Sequence, residues 1–305
     1  FTSQRLQVLA RLLRGEALTV VVPVDALMVG LTPPEIWSQF CLTLKEGQTV
    51  NLEGISRALV DAGYERVDLV ESKGQFSIRG GILDVFSMTW ENPRRVEFFG
   101  DEIDSIREFD PLTQRSLRRV QEAHVVPARE RVVPPEYLDS GLSALEAEAR
   151  AMSARLADKG FVKAAENLRQ RVAGHVEKLR EGALELVENY APYFFPRLST
   201  LMDYCPVEPV VMVDEIGRVQ KAAETLEEKN RNRYLESFEA GKSLPRQHEN
   251  YLAFEEVTAR WQGKPLIYFS AFLKKVPESR LARVLSFDAQ QAPYFAGQWD
   301  LLGSE

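Results

Sequence analysis

The sequence predicts an α/β framework interrupted by a small α+β domain built on an antiparallel sheet. Three observations carry that expectation. Apolar β-like runs beside amphipathic helices occur near both ends, as ALTVVVPV at 17–24 and VVMVDE at 210–215. Short strand-like segments crowd residues 75–110, cut by Gly74, Gly80-Gly81, Asn92-Pro93 and Gly100-Asp101, and such turn residues at close spacing mark hairpins. Longer helical patterns return after about residue 128.

Taken in order, QRLQVLARLLR at 4–14 sets Leu6, Leu9, Leu12 and Leu13 on one helical stripe, and Gly15 follows as a stop. ALTVVVPV reads as a buried strand. One helix and one strand cannot close an α/β layer, so residues 1–40, which open on Phe1, read as the tail of a larger unit. From 41 to 127 come a strand at 41–47, an amphipathic helix at 52–63 and strands at 64–71, 75–79, 82–86, 95–99 and 101–110. Residues 128–305 form the third section. Helices at 141–158 and 161–181 should pair as a hairpin around Gly160, a shorter helix spans 182–190, and YAPYFFPRLSTLMDYCP is dense enough in aromatics and prolines to be a packed irregular segment. VVMVDE is expected as an interior strand, 216–240 as a helix, and KPLIYFSAF (264–272) and ARVLSFDA (282–289) as further strands.

Composition narrows the function. The 305 residues hold 38 Lys plus Arg against 45 Asp plus Glu, and a net charge of −7 disfavours a surface that grips DNA or anionic lipid all over. No apolar run reaches the length of a membrane span, and no membrane role is expected. Cys41 and Cys205 belong to no CxxC pair and are expected as buried thiols in a reducing, cytoplasmic setting. His124, His175 and His248 stand apart without a metal framework.

Catalytic signals are sparse. Asp214-Glu215 after an apolar strand resembles the position where motor ATPases hold magnesium and polarise water, but GxxxxGK[ST], whose amides and lysine would cradle phosphates, occurs nowhere. The acids Glu97, Asp101, Glu102, Asp104, Glu108 and Asp110 could be scanned as a divalent-metal cluster, yet strand alternation sends neighbours to opposite faces, and a solvated hairpin edge is expected instead. GxSxG and HxExxH are absent. No enzyme activity, cofactor or metal is expected of this chain, and a degenerate or metal-dependent hydrolase ranks last.

The informative feature is a sheet face. Alternation puts Phe76, Ile78, Val96 and Phe98 toward the core and Arg79, Arg95, Glu97 and Phe99 outward. Two guanidiniums, a carboxylate and an exposed ring are the chemistry of a protein-binding hot spot. The alternation alone equally allows an Arg95–Glu97 ion pair, a solvated Arg79 and a Phe99 wedged under a loop.

FSIRGGILDVF, eight residues, then RVEFFGDEIDSIREFDPLTQRS, from Phe76 to Ser116, resembles domain 2 shared by the repair protein UvrB and the bacterial transcription-repair coupling factor family. VVVPVDALM (20–28), AGYERVD (62–68), ENYAPYFFPRLSTLMDYCP (188–206) and VVMVDE resemble the UvrB-like module at the N-terminus of the coupling factors. The resemblance implies a shortened domain 1a at 1–40, an inserted, UvrA-binding domain 2 at 41–127 and domain 1b at 128–305, with a framework related to motor ATPases but without the Walker A loop or the aromatic DNA-clamping hairpin of UvrB. It also implies a non-catalytic adaptor that recruits UvrA in transcription-coupled nucleotide excision repair, with contacts on Arg79, Arg95 and Phe99; Glu97 is added from its shared face. RNA polymerase and DNA would be engaged through domains that these residues do not include. The alternative is a nucleic-acid-binding module, with only weak DNA contact, that uses Arg79, Arg94, Arg95, Arg115, Arg118 and Arg119 on phosphates.

Overall fold

The computed structural model of the chain describes residues 2–271 and 282–287. Among these residues it is a mixed α/β structure with one six-stranded and two two-stranded sheets. Phe1–Phe269 is one compact unit and Ser270–Glu305 a second. In the second, Ser270, Ala271 and 282–287 form no helix or strand. The strand expected over 282–289 is therefore not formed over 282–287, and positions 288 and 289 lie outside the described residues. Val284, Leu285 and Phe287 are exposed there, and an apolar run makes a strand only where a neighbour takes its backbone hydrogen bonds.

Helix α1, Thr2–Leu13, buries Leu6, Leu9 and Ala10 as its stripe predicts, and Gly15 ends it at a φ of +69°. The strand expected at 17–24 is absent: 17–23 is irregular, Val21 is 93% exposed, and Val24–Leu27 is instead a short helix, α2. Its β-branched residues find no partner strand among the described residues, and Pro23 has no N–H to offer one. Pro34–Trp37 forms α3.

The middle section carries β1 (Leu42–Lys45), α4 (Leu52–Asp61), β2 (Glu65–Arg66), β3 (Gln75–Arg79), β4 (Ile82–Val85), β5 (Arg94–Phe99), β6 (Glu102–Phe109), β7 (Ser116–Val120) and β8 (Glu122–Val125). The large sheet runs β2-β3-β4-β5-β6-β7, antiparallel throughout except where β2 meets β3, and β1 pairs with β8. Asn51 caps α4 by accepting the Gly54 N–H at 2.8 Å, which leaves Ile55 and Leu59 facing the core. The strand expected over 64–71 shrinks to two residues. After Arg66 the chain leaves the sheet, Val70 is fully buried, and the Asp68 carbonyl accepts the Ser77 hydroxyl at 3.0 Å. The sequence reading left β7 and β8 unassigned: Ser116 to Arg119 are all exposed, so they show no apolar alternation.

Helices α5 (Pro135–Asp158) and α6 (Val162–Arg180) form the expected hairpin, with Gly160 at φ +86° in the turn. Leu142, Leu145, Ala149, Met152 and Leu156 face Ala165, Leu168, Val172, Val176 and Leu179 in one continuous core that also takes in Trp37, Phe76, Leu83, Val96 and Ile106. Helix α7 spans Val187–Phe194, beginning later and ending later than expected, so the first five residues of the aromatic segment read as irregular are helical; the segment is packed as predicted, and Leu201–Tyr204 in it is a short 3-10 helix. Tyr204 is fully buried, donates to the Thr32 carbonyl at 2.7 Å and meets the Trp37 ring edge-on. Strand β9 (Val211–Asp214), helix α8 (Ile216–Glu239), helix α9 (Phe254–Ala259) and strand β10 (Leu266–Phe269) follow, with β9 and β10 parallel. Val213 packs with Met28, Ala223, Val257 and Trp261 in a smaller core, but Met212 is 61% exposed, so β9 is covered on one face rather than interior.

Candidate functional site

The face is built by a tight hairpin. Gly80 adopts a φ of +58°, which only glycine takes readily, and the two-residue turn sets Arg79 opposite Ile82. Register then aligns Ser77, Asp84, Arg95 and Arg107 across four strands, and Arg79, Ile82, Glu97 and Ser105 in the next rank. On the opposite side Phe76 and Val96 are fully buried, with Ile78 and Phe98 packed against the same core. The alternation read from sequence therefore matches the sheet.

The centre of the face is Asp84. Its carboxylate is 1% exposed and accepts three hydrogen bonds: Arg95 Nε to Oδ1 at 2.7 Å, Arg95 Nη2 to Oδ2 at 2.8 Å, and Arg79 Nη2 to Oδ2 at 2.8 Å. Arg95 also lies 4.6 Å above the centroid of the buried Phe109 ring, and its Nη2 reaches Gln114 Oε1 at 3.4 Å. Gln114 sits at φ +60°, an uncommon conformation for a side-chain-bearing residue, while its amide donates to the Val70 and Pro111 carbonyls. The Asp84 hydrogen bonds hold the Arg95 guanidinium above its usual pKa. The two arginines differ in commitment. The Arg95 side chain is 17% exposed and clamped on two edges, whereas Arg79 is half exposed and held by one bond.

Phe99 lies past a register shift at Glu97/Phe98 and is 84% exposed. Phe98 N donates to the Gly81 carbonyl at 2.8 Å, so the neighbouring Phe99 stands at the same sheet edge as the Gly80-Gly81 turn. Glu97 forms no ion pair with Arg95; it accepts the Ser105 hydroxyl at 2.6 Å. Asp84, Gln114 and Phe109 were missed by the sequence reading. Asp84 was within reach: a two-residue Gly80-Gly81 turn puts it on the same side as Arg79. Gln114 and Phe109 arrive from distant positions and left no local signal.

The other sequence candidates behave differently. Glu108 is not on a solvated edge: it is 7% exposed, receives Arg118 at 2.7 and 3.1 Å and lies 3.6 Å from Arg94, and the Arg118 hydrogen bonds hold its carboxyl below the usual range. Asp110 accepts the Leu112 and Thr113 amides of its own turn. Among the described residues no group of His, Cys, Asp and Glu is placed to hold a metal ion. Asp214 and Glu215 lead into α8, with Glu215 at φ +49° in the N-cap position, and neither lines the cavity of about 800 Å³ bounded by Met28, Leu198, Asn230, Leu252 and Arg260. Of the arginines that a phosphate-binding surface would use, Arg94 and Arg118 meet Glu108, Arg119 meets Glu46 at 2.8 Å, and Arg79 and Arg95 meet Asp84. Cys41 and Cys205 are free and only partly buried; burial pushes the Cys41 thiol up to about 11. Among the described residues no helix is long and apolar enough to cross a membrane.

Comparison with known families falls on this sheet. Residues 42–130 match the UvrB interaction domain. The match encloses Arg79, Asp84, Arg95, Glu97 and Phe99. Over 99% of its length the chain is similar to proteins named transcription-repair-coupling factor, at 34% identity over 314 residues in Bacillus subtilis (strain 168) and 28% over 306 residues in Staphylococcus aureus (strain MRSA252). The chain spans a quarter of the length of these curated relatives, 25% in each case. Family match and relatives together are consistent with the N-terminal module of a transcription-repair coupling factor.

Proposed function

We propose that the chain is a non-catalytic adaptor module that docks UvrA in transcription-coupled nucleotide excision repair through the face carrying Arg79, Arg95 and Phe99, with Glu97 at its margin. The observation that carries this is the juxtaposition, inside the span matching the UvrB interaction domain, of an 84% exposed phenyl ring with a half-exposed arginine. An aromatic anchor beside guanidinium donors supplies much of the affinity in protein interfaces. In this division 1–40 belongs to domain 1a, 41–127 is domain 2 and 128–305 is domain 1b, and β9 leading into α8, with β10 parallel to β9, is the remnant of a motor-type framework. The absence of a Walker A sequence supports the non-catalytic assignment. RNA polymerase and DNA are partners of other parts of the longer factor, and the setting is cytoplasmic.

Binding to duplex DNA through the arginines is the weaker reading, because five of the six guanidiniums it would use already neutralise carboxylates. A titration of purified chain against purified UvrA without DNA is the test. Phe99→Ala and Arg79→Ala should each weaken association about tenfold or more while leaving the chain folded. Undiminished affinity in both would exclude this face, and salt-sensitive duplex binding abolished by the same variants would favour phosphate recognition instead.

A further inference from the structure

The docking face contains an ionic group that no comparison assigns. Asp84 is one residue from Val85 on a strand whose partners are both arginine-bearing, and it is more deeply buried than either arginine it holds. A carboxylate at 1% exposure surrounded by two guanidiniums fixes where their remaining N–H groups point. In Arg95, Nε and Nη2 are taken by Asp84 and Gln114, and the plane rests on Phe109, which leaves Nη1 without a hydrogen-bond partner among the described residues. In Arg79 only Nη2 is used, so Nε and Nη1 are open.

We propose that Asp84 is the positioning residue of this face: it locks Arg95 so that Nη1 alone is presented to an acceptor on the partner, and it holds Arg79 by a single bond while the other N–H groups of Arg79 remain open to a partner carboxylate or carbonyl. This rests on UvrA docking through the face and adds a division of labour to it. Arg95 is a preorganised donor whose geometry is fixed before binding, and preorganisation lowers the ordering cost of association. Arg79 is the adaptable donor. The same arrangement makes the two arginines unequal toward lysine. A lysine ammonium at position 95 has no planar fork to satisfy both Asp84 oxygens and still extend a donor outward, whereas an ammonium at position 79 can reach an acceptor with only one bond to replace.

The test is UvrA affinity for Arg79→Lys, Arg95→Lys and Asp84→Asn in the full chain, with each variant's fold verified by circular dichroism and thermal unfolding. Arg79→Lys should keep most of the affinity, while Arg95→Lys should lose about as much as Arg95→Ala. Asp84→Asn should weaken binding about tenfold, and most of that loss should vanish in an Arg95→Ala background, because Arg95 makes two of the three Asp84 hydrogen bonds. The Arg95 Nε–H proton, protected by Asp84, should give a resolved nuclear magnetic resonance signal that Asp84→Asn abolishes while its backbone amide spectrum stays that of the folded chain; where Asp84→Asn does not fold, the comparison of Arg95→Lys with Arg79→Lys carries the test. A resolved Nε–H signal retained in Asp84→Asn, equal tolerance of lysine at both positions, or an Asp84→Asn loss undiminished without Arg95, overturns the positioning role. Failure of the unmodified chain to bind UvrA would instead overturn the docking assignment, and the Nε–H signal would still report on Asp84.

Discussion

Arg95→Ala and Arg79→Ala remove the same kind of side chain from the same carboxylate, yet the structure predicts unequal costs in stability. Arg95→Ala strips two of the three hydrogen bonds from Asp84 and exposes the face of Phe109 that the guanidinium covers. Breaking a buried ion pair by removing one partner costs about 3–5 kcal/mol, because the stranded charge keeps its desolvation penalty. Arg79 survives this change and can still serve Oδ2, which places the loss near about 3 kcal/mol, the low end of that range. Arg79→Ala leaves the two Arg95 bonds intact and removes a side chain that is half in water, so the cost should stay below about 1 kcal/mol. The difference of about 2 kcal/mol corresponds to roughly thirtyfold in the folded-to-unfolded ratio. Urea unfolding followed by circular dichroism resolves it, provided that the slope with denaturant is unchanged between variants. Equal midpoints for the two variants would refute the claim that Asp84 depends chiefly on Arg95. The outcome also governs how binding data are read: a loss of association in Arg95→Ala mixes docking with local unfolding, and Arg79→Ala does not.

Phe99→Ala should shift stability by no more than about 0.5 kcal/mol, since the ring is 84% exposed, and thermal unfolding alongside the UvrA titration separates a binding residue from a packing one. Gly141→Ala should lower stability by about 1–3 kcal/mol despite alanine's better helix propensity, because a Cβ there meets the Phe194 ring where α7 crosses α5; a urea midpoint at or above that of the unmodified chain would show that the ring moves aside freely. Glu108 has its folded pKa depressed from 4.5 by the Arg118 hydrogen bonds, so its contribution is complete above that value and is lost as pH falls through the lower folded pKa. Glu108→Gln should therefore flatten the stability profile below about pH 4.5 and lower the plateau at neutral pH, as read by unfolding midpoints across an acid titration.

What was legible in the sequence follows from how local each signal is. The α5–α6 hairpin was readable because Leu142, Leu145, Ala149, Met152 and Leu156 repeat at helical spacing and Gly160 stands where the turn needs a positive φ. The polar face was readable because Phe76 and Val96 alternate with Ser77, Arg95 and Glu97. The same rule misjudged 17–24 and 282–287, where apolar residues occur in runs but no neighbouring strand among the described residues completes the hydrogen bonding; a strand is a property of a pair. It also missed β7, whose exposed Leu117, Arg118 and Arg119 alternate nothing and whose backbone is placed by pairing with β6.

The candidate site shows the limit most directly. Alternation told which way Arg79 and Arg95 point, but not what they already hold, because Asp84, Phe109 and Gln114 are brought to Arg95 by sheet register and by the turn after β6. An outward-facing arginine is a free donor only if no carboxylate lies within a strand's width. Here one does, at 2.7 Å, and the consequence is specific: the face offers its partner one guanidinium fixed in direction and one tethered by a single bond rather than two unpaired cations. Such a face discriminates by geometry, and its affinity should depend less on ionic strength than that of an unpaired basic patch of equal arginine count.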